Sequence, residues 1–483
     1  MRLTHRLLVC LALLASGSMA VTGQAPASPA PFKSFEYLLL GDATRGAGEP
    51  MIAVDPTNPR NIIAVAMGTL GELPPPPPGT NPGQASIPRS TITWLGVTHD
   101  GGRNWKISEL PILTDSFSRC PDPIADVTKD GMFIAGCEPR ETIGPAWGLS
   151  AMQTSDDRGD SWGRPIEIIP QWNRERFASG LKPRFQGASP YDRPFTYIDD
   201  STGVIYGVAK GGVTEIDGAP RQQSYITALM PGSRTFGPIY AWDSTDYPQI
   251  YRAGVTAQHG AVWVGYTASK APASQGATCP CPVIGVSRDG GKTFAHHVLK
   301  NLPTAPPTAA AQRVRGASPE ASATRATRLQ DLSADPTKAG RVALLSVTAG
   351  PDAGLQVATS DDNGGTWGPL VAAGATPGAV LYEKTAFEYS RDGVLGVAWR
   401  AVHADGSYDI GVAVSKDGGK TFSKSIQVNH VRSPGTAAVK SAGNDDIIDF
   451  SMDKENIHLV WGDFRTGFLG TWYGRVPLSA FEF

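Results

Sequence analysis

The chain is predicted to be all-β, a seven-bladed β-propeller of four-stranded antiparallel blades, with six blades as the fallback count. Four observations carry that expectation. An eight-residue turn signature occurs five times, and a strand–turn–strand unit occurs seven times. Gly and Pro reach 55 and 40 residues with only 18% charged, a composition of many short strands and turns. Helical periodicity is hard to find along the chain.

The turn signature reads THDGGRNW from Thr98, SDDRGDSW from Ser155, SRDGGKTF from Ser287, SDDNGGTW from Ser360 and SKDGGKTF from Ser415. Each position has a local task. The short Asp folds its carboxylate onto nearby backbone N–H groups, Gly takes the positive φ of a tight turn, and the hydroxyls bond locally. The closing aromatic starts the next strand and buries a large apolar face. This pattern is the Asp box, and on it the chain resembles the sialidase-like (BNR/Asp-box) β-propeller superfamily. That superfamily includes sialidases, other glycan-cleaving propellers and non-enzymes.

The second unit sets the count. It appears as MIAVDPTNPRNIIAVAM from Met51, PIADVTKDGMFIAG from Pro123, FTYIDDSTGVIYGVA from Phe195, AGVTAQHGAVWVGY from Ala253, LSADPTKAGRVALLSV from Leu332, FEYSRDGVLGVAW from Phe387 and IDFSMDKENIHLVW from Ile448. Turn signals such as DP, DG, HG and NP stand at the centre of nearly every copy. Five copies are followed by a box, the third carries the degenerate SYITALMPGSRTF, and the seventh has little room for a fourth strand after FLGTWYGRV. Either FEYLLLG near the N-terminus or LSAFEF at the C-terminus is available to complete it. One blade cannot bury both faces, so radial stacking is the physical solution. Sialidases have six blades, so seven departs from their count.

Residues 1–20 read as a secretory signal: Arg2, His5 and Arg6 precede an apolar run from Leu7, and Ser18-Met19-Ala20 offers a small-x-small cleavage site. The run is too short to span a bilayer. Residues 21–33 then form a linker, and 34–483 a single Asp-box propeller domain. The product is expected to be secreted or periplasmic, monomeric and without a membrane span. A net charge of -2 gives no dense basic field for nucleic acid. Four cysteines remain after export, allowing three pairings. Cys120 with Cys137, which bracket one hairpin, and Cys279 with Cys281 are favoured; free or metal-bound thiols stay open for the second pair. The histidines show no zinc-site spacing, and no metal or cofactor is expected.

Antiparallel blades put their first and third turns on one rim and all other connections on the opposite rim. The first set is short and repetitive, whereas the second includes long, individual segments from Gly68, Gln171 and Asn301. Ligand contacts concentrate on such loops. Two of them are basic, with Arg174, Arg176, Lys182 and Arg184 in one and Arg313, Arg315, Arg325 and Arg328 in the other. They form an anion-seeking rim or simply solvated loop charge.

Inner strands enter the channel from that rim, and their starts carry Glu49, Asp122, Asp192, Arg193, Asp246, Arg252, Asp331, Lys384, Asp445 and Asp446. Asp122, Asp192, Asp246 and Asp445 are the candidate catalytic carboxylates, because glycoside hydrolysis needs an acid and a second carboxylate. Glu49, Arg193, Arg252, Lys384 and Arg465 are the candidate ligand-binding residues. Charged groups also line propeller channels with no chemistry, so a wet channel wall is the alternative. A sialidase resemblance implies an arginine triad on the substrate carboxylate, but its first-blade arginine position here reads GEPMIAV, with Glu49 and Pro50. Arg465, in WGDFRTG, resembles a strand-ending Trp-x-Asp-x-Arg that serves either as an internal ion pair or as a clamp. The expected function is glycan binding, with hydrolysis as its extension toward a sialidase-like glycoside hydrolase. The alternative is a non-catalytic platform for a protein or a cell-surface polymer.

Overall fold

The computed structural model describes residues 34–70, 91–112, 117–141, 149–170, 191–216, 219–300, 302, 328–348, 354–434 and 447–483. The export signal, the linker and most of the basic rim segments lie outside these residues. Seven antiparallel sheets follow one another along the chain. Their inner strands are Arg45–Val54, Ile124–Val127, Tyr191–Asp199, Gln249–Gln258, Arg328–Ala334, Leu381–Tyr389 and Ile448–Met452, which define blades 1 to 7. In each blade the second and third strands follow the inner one in sequence order. Blade 1 carries two further short strands that the repeat pattern does not contain, Phe117–Arg119, which pairs parallel with Thr91–Thr98, and Arg140–Glu141.

The ring closes with the N-terminal segment. Phe35–Leu40 pairs antiparallel with Gly470–Pro477 and supplies the outer strand of blade 7. The other candidate, LSAFEF, forms a short 3₁₀ turn at Leu478–Ala480 and packs Phe481 into the adjoining core. Arg465 belongs to this closure. Its guanidinium pairs with Asp463 at 2.6 Å and with Glu36 of the closing strand at 2.8 Å, and it lies 4.0 Å over the Trp472 ring.

The five box turns share one hydrogen-bond pattern. At Ser155 the hydroxyl donates to Asp157 at 2.7 Å, Gly159 N–H donates back to the hydroxyl at 2.7 Å, and Ser161 N–H donates to the carboxylate at 2.8 Å. The same bonds recur around Asp100, Asp289, Asp362 and Asp417. Hydrogen bonds from Ser161 hold Asp157 down at about 2, and those from Thr366 do the same for Asp362. These turns are self-contained, which keeps their rim uniform.

Between blades the core is apolar and dense. Trp263, Trp399 and Trp461, all on second strands, are fully buried. Gly411 sits directly across from Trp399, and a Cβ there would meet the indole at 2.4 Å. The indole therefore occupies space that only glycine leaves. Truncating such a tryptophan to Ala costs about 3–5 kcal/mol.

Arg465→Met should lower stability by about 3 kcal/mol or more, because it strands two buried carboxylates. Urea unfolding followed by tryptophan fluorescence reads this as a lower midpoint at unchanged slope; an unchanged midpoint would contradict this role in closure.

Candidate functional site: the mouth and hub of the channel

The inner strands do not run straight into the channel. Their pairing with the second strands slips between Gly48 and Met51, Asp192 and Phe195, Arg252 and Val255, Leu329 and Asp331, and Glu383 and Ala386. Such bulges break the period-two alternation and re-aim a side chain. At these places, or just before the short inner strand of blade 2, four non-glycine residues adopt left-handed backbone: Glu49 at φ 52°, Asp122 at 53°, Arg193 at 54° and Lys384 at 50°. Each such conformation costs about 1–3 kcal/mol, and such strain clusters at functional sites. Pro50, Pro123 and Pro194 follow three of them. A bulge leaves its extra residue out of the ladder, so proline's missing N–H costs little there.

The structure thus gives four sequence-named residues one shared backbone device. Glu49 and Asp122 are 3% and 7% exposed, while Arg193, Arg252 and Lys384 are half-buried. Arg252 donates to the Arg193 carbonyl at 3.3 Å and stands 5.2 Å over the Phe195 ring, joining blades 3 and 4. Beside Lys384, Glu383 is held by Arg400, whose guanidinium lies 4.5 Å over Tyr408. Asp192 pairs its backbone with Lys210, but its side chain lies outside the described set. Asp246 is exposed in the connection before the inner strand of blade 4. Asp445 lies outside the described residues, and Arg465 sits with the outer strand of blade 7. Cys120–Cys137 and Cys279–Cys281 are disulfides with Cα atoms 5.4 and 4.2 Å apart. The first ties the approach to Asp122 to the neighbouring strand.

Below the mouth is a cluster of carboxyls. Burial pushes Asp126, Asp331 and Asp449 up to about 7. Glu388 rises to about 8, first by burial and then by repulsion from Asp449 and Asp126. By accessible surface Glu388 is exposed and Asp126, Asp331 and Asp449 are half-buried, so for Glu388 the repulsion from Asp449 and Asp126 is the firmer cause of the rise. The cluster is held by backbone. Asp449 accepts from Ile52 N–H at 2.9 Å, Asp126 from Val127 N–H at 2.9 Å and from Thr196 Oγ1 at 3.3 Å, and Asp331 from Leu332 N–H at 2.8 Å. Asp331 packs so tightly on Gly254 that a Cβ there would meet its Oδ1 at 2.1 Å.

A carboxyl that holds its proton near pH 7 is a general acid in waiting, and an ionised neighbour is a base. Asp331 is the best placed, since the charge of Arg252, the residue that reaches Arg193 at the mouth, acts on it. The reading of strand starts names Asp331 but passes over Asp126, Glu388 and Asp449. Their signal is a lone carboxylate inside an apolar inner strand, as in IADV, FEY and IDF. Among the described residues no group of three His, Cys, Asp or Glu is placed to hold a metal ion, and no helix is long and apolar enough to cross a membrane.

The strand order makes this a seven-bladed propeller. Several solved structures are similar to it over most of the chain. A protein of unknown function from Dyadobacter fermentans is 12% identical, with 91% of this chain and 97% of that one covered at a TM-score of 0.47. A Hadza microbial sialidase is 14% identical over 81% of this chain and 74% of its own, at 0.46. An ulvan lyase of a polysaccharide lyase family is 12% identical over 89% and 94%, at 0.45. No protein-family model matches the sequence, and no curated protein is detectably similar to it.

The hub carboxyls have a consequence for stability. The unfolded chain releases these protons near pH 4, whereas the folded chain holds them to about pH 7. The folded state therefore binds more protons in that window, and their contribution to stability falls as pH rises through it. Asp331→Asn should reduce the loss of unfolding free energy between pH 5 and pH 8 relative to the unmodified chain, as read by urea titration at both values. An identical loss in both proteins would contradict the assignment.

Proposed function

We propose that this chain is an exported propeller that binds glycan at the channel mouth and hydrolyses a glycosidic bond there. The observation that carries the reading is a proton-holding carboxyl, Asp331, one step below a strained mouth that offers further carboxylates at Glu49 and Asp122. Hydrolysis of a glycosidic bond needs an acid to protonate the leaving oxygen and a second carboxylate as base or nucleophile. Arg193, Arg252 and Lys384 add hydrogen-bond donors suited to sugar hydroxyls or to an acidic sugar. The export signal of residues 1–20 supports placement outside the cytoplasm, where such polymers are met. With Glu49-Pro50 at the first blade's entry, sialosides are one substrate class among several rather than the presumed one.

A non-catalytic platform is the competing reading, and the burial of Glu49 and Asp122 favours it. Assay of the purified protein on sialosides and on plant and microbial polysaccharides separates the two. We expect turnover on at least one polymer, and a fall of about 10²-fold or more in rate for Asp331→Asn with the fold intact. Binding without turnover would favour the platform, whereas turnover that stays full in Asp331→Asn, Glu49→Gln and Asp122→Asn alike would overturn the assignment of these residues.

A further inference from the structure

The floor of the hub holds a cation that the mouth chemistry does not use. Arg391 lies in the first turn of blade 6, just past the strand that carries Glu388. Its Nε donates to Asp200 Oδ2 at 2.7 Å and its Nη2 to Asp200 Oδ1 at 3.3 Å, a two-pronged pair. The same Nη2 donates to the Val127 carbonyl at 2.7 Å. Asp200 belongs to the first turn of blade 3, and Val127 ends the inner strand of blade 2. In a ring of seven, blades 2 and 3 are the two farthest from blade 6. One side chain therefore spans the hub from side to side.

We propose that Arg391 is the positioning residue of the hub: it ties the end of the inner strand of blade 2 and the first turns of blades 3 and 6 together across the floor and sets the charge state of the carboxyls above it. The inference rests on the acid–base role given to those carboxyls, although its test uses no glycan. The groups involved come from six blades. They are Asp126 from blade 2, Tyr197 and Asp200 from blade 3, Arg252 from blade 4, Asp331 from blade 5, Glu388 with Arg391 from blade 6, and Asp449 from blade 7. Blade 1 meets them through the Ile52 amide. Arg391 draws the proton affinity of Asp126 and Glu388 down, and Asp200 pushes it up. Pairing the two holds both effects in check.

A latch that were only structural would give the same result whichever partner was removed. Charge control gives opposite results. The carboxylic C=O infrared band of the purified protein, followed as a function of pH, counts protonated carboxyls directly. Arg391→Met should move the hub titration up by about 1 pH unit, the size an opposite charge at close range produces. Asp200→Asn, which frees the guanidinium to act on Asp126 and Glu388, should move it down. Arg391→Lys keeps the cation and should move it less than Arg391→Met. If Arg391→Met fails to fold, Asp200→Asn alone decides, with the downward shift expected. A shift of the same sign in Met and Asn variants, or no shift in Asp200→Asn, would overturn the proposal. Absence of glycan turnover in the unmodified protein, with these shifts intact, would instead count against the glycan reading.

Discussion

A wheel of sheets encloses its hub only if the two ends of the chain meet. Here they meet through backbone pairing of Phe35–Leu40 with Gly470–Pro477, locked by Arg465 between Asp463 and Glu36. Enclosure is the condition for everything at the centre. In an open fan of blades the inner edges would face bulk water, and carboxylates there would ionise at ordinary values. Brought around one hub, the half-buried Asp126, Asp331 and Asp449 and the exposed Glu388 are pushed up toward neutrality by burial and, for Glu388 and Asp449, by repulsion from neighbouring carboxylates.

The division of labour between the rims follows from the same geometry. Antiparallel order sends the first and third turns to one side, where buried Asp55, Asp199 and Asp335 and the box aspartates tie each turn to itself. Neighbouring turns also grip one another there, as Arg158 does with Asp55 across blades 2 and 1 at 3.2 Å. That rim is regular. Left-handed non-glycine residues stand on both rims, at Arg158, His259 and Asn363 in these turns and, at the opposite entry, at Glu49, Asp122, Arg193 and Lys384, which open the inner strands of blades 1, 2, 3 and 6. The rigid rim lets the entry hold conformations that would relax on a looser scaffold.

Much of this was legible in the sequence where the causes are local. The box turns announce themselves because Ser, Asp, Gly and Thr bond to their own backbone, and seven strand–turn–strand copies give the seven sheets. Glu49, Asp122, Arg193 and Lys384 were visible as charged residues at strand starts. Their bulged backbone was foreshadowed only by the proline that follows three of them. The hub cluster was hidden because it is a product of ring closure. Asp126 and Glu388 lie five positions apart in blade order, counting both ends, and nothing in the strings IADV and FEY says that they share one enclosure. Arg391 was harder still, since a turn arginine reads as solvated until the far side of the ring is placed opposite it. The choice between FEYLLLG and LSAFEF as closing strand was equally open, because both are short, apolar and terminal. Partner residues decided it: Glu36 answers Arg465.

The central claim is that enclosure keeps protons on hub carboxyls at a pH where exposed ones have lost theirs. Neutron diffraction from a deuterium-exchanged crystal grown near pH 6 places those protons by sight. The account expects deuterium on at least one of Asp126, Asp331, Glu388 and Asp449, with the box carboxylates Asp157 and Asp362 bare. Four bare hub carboxylates at that pH would contradict it.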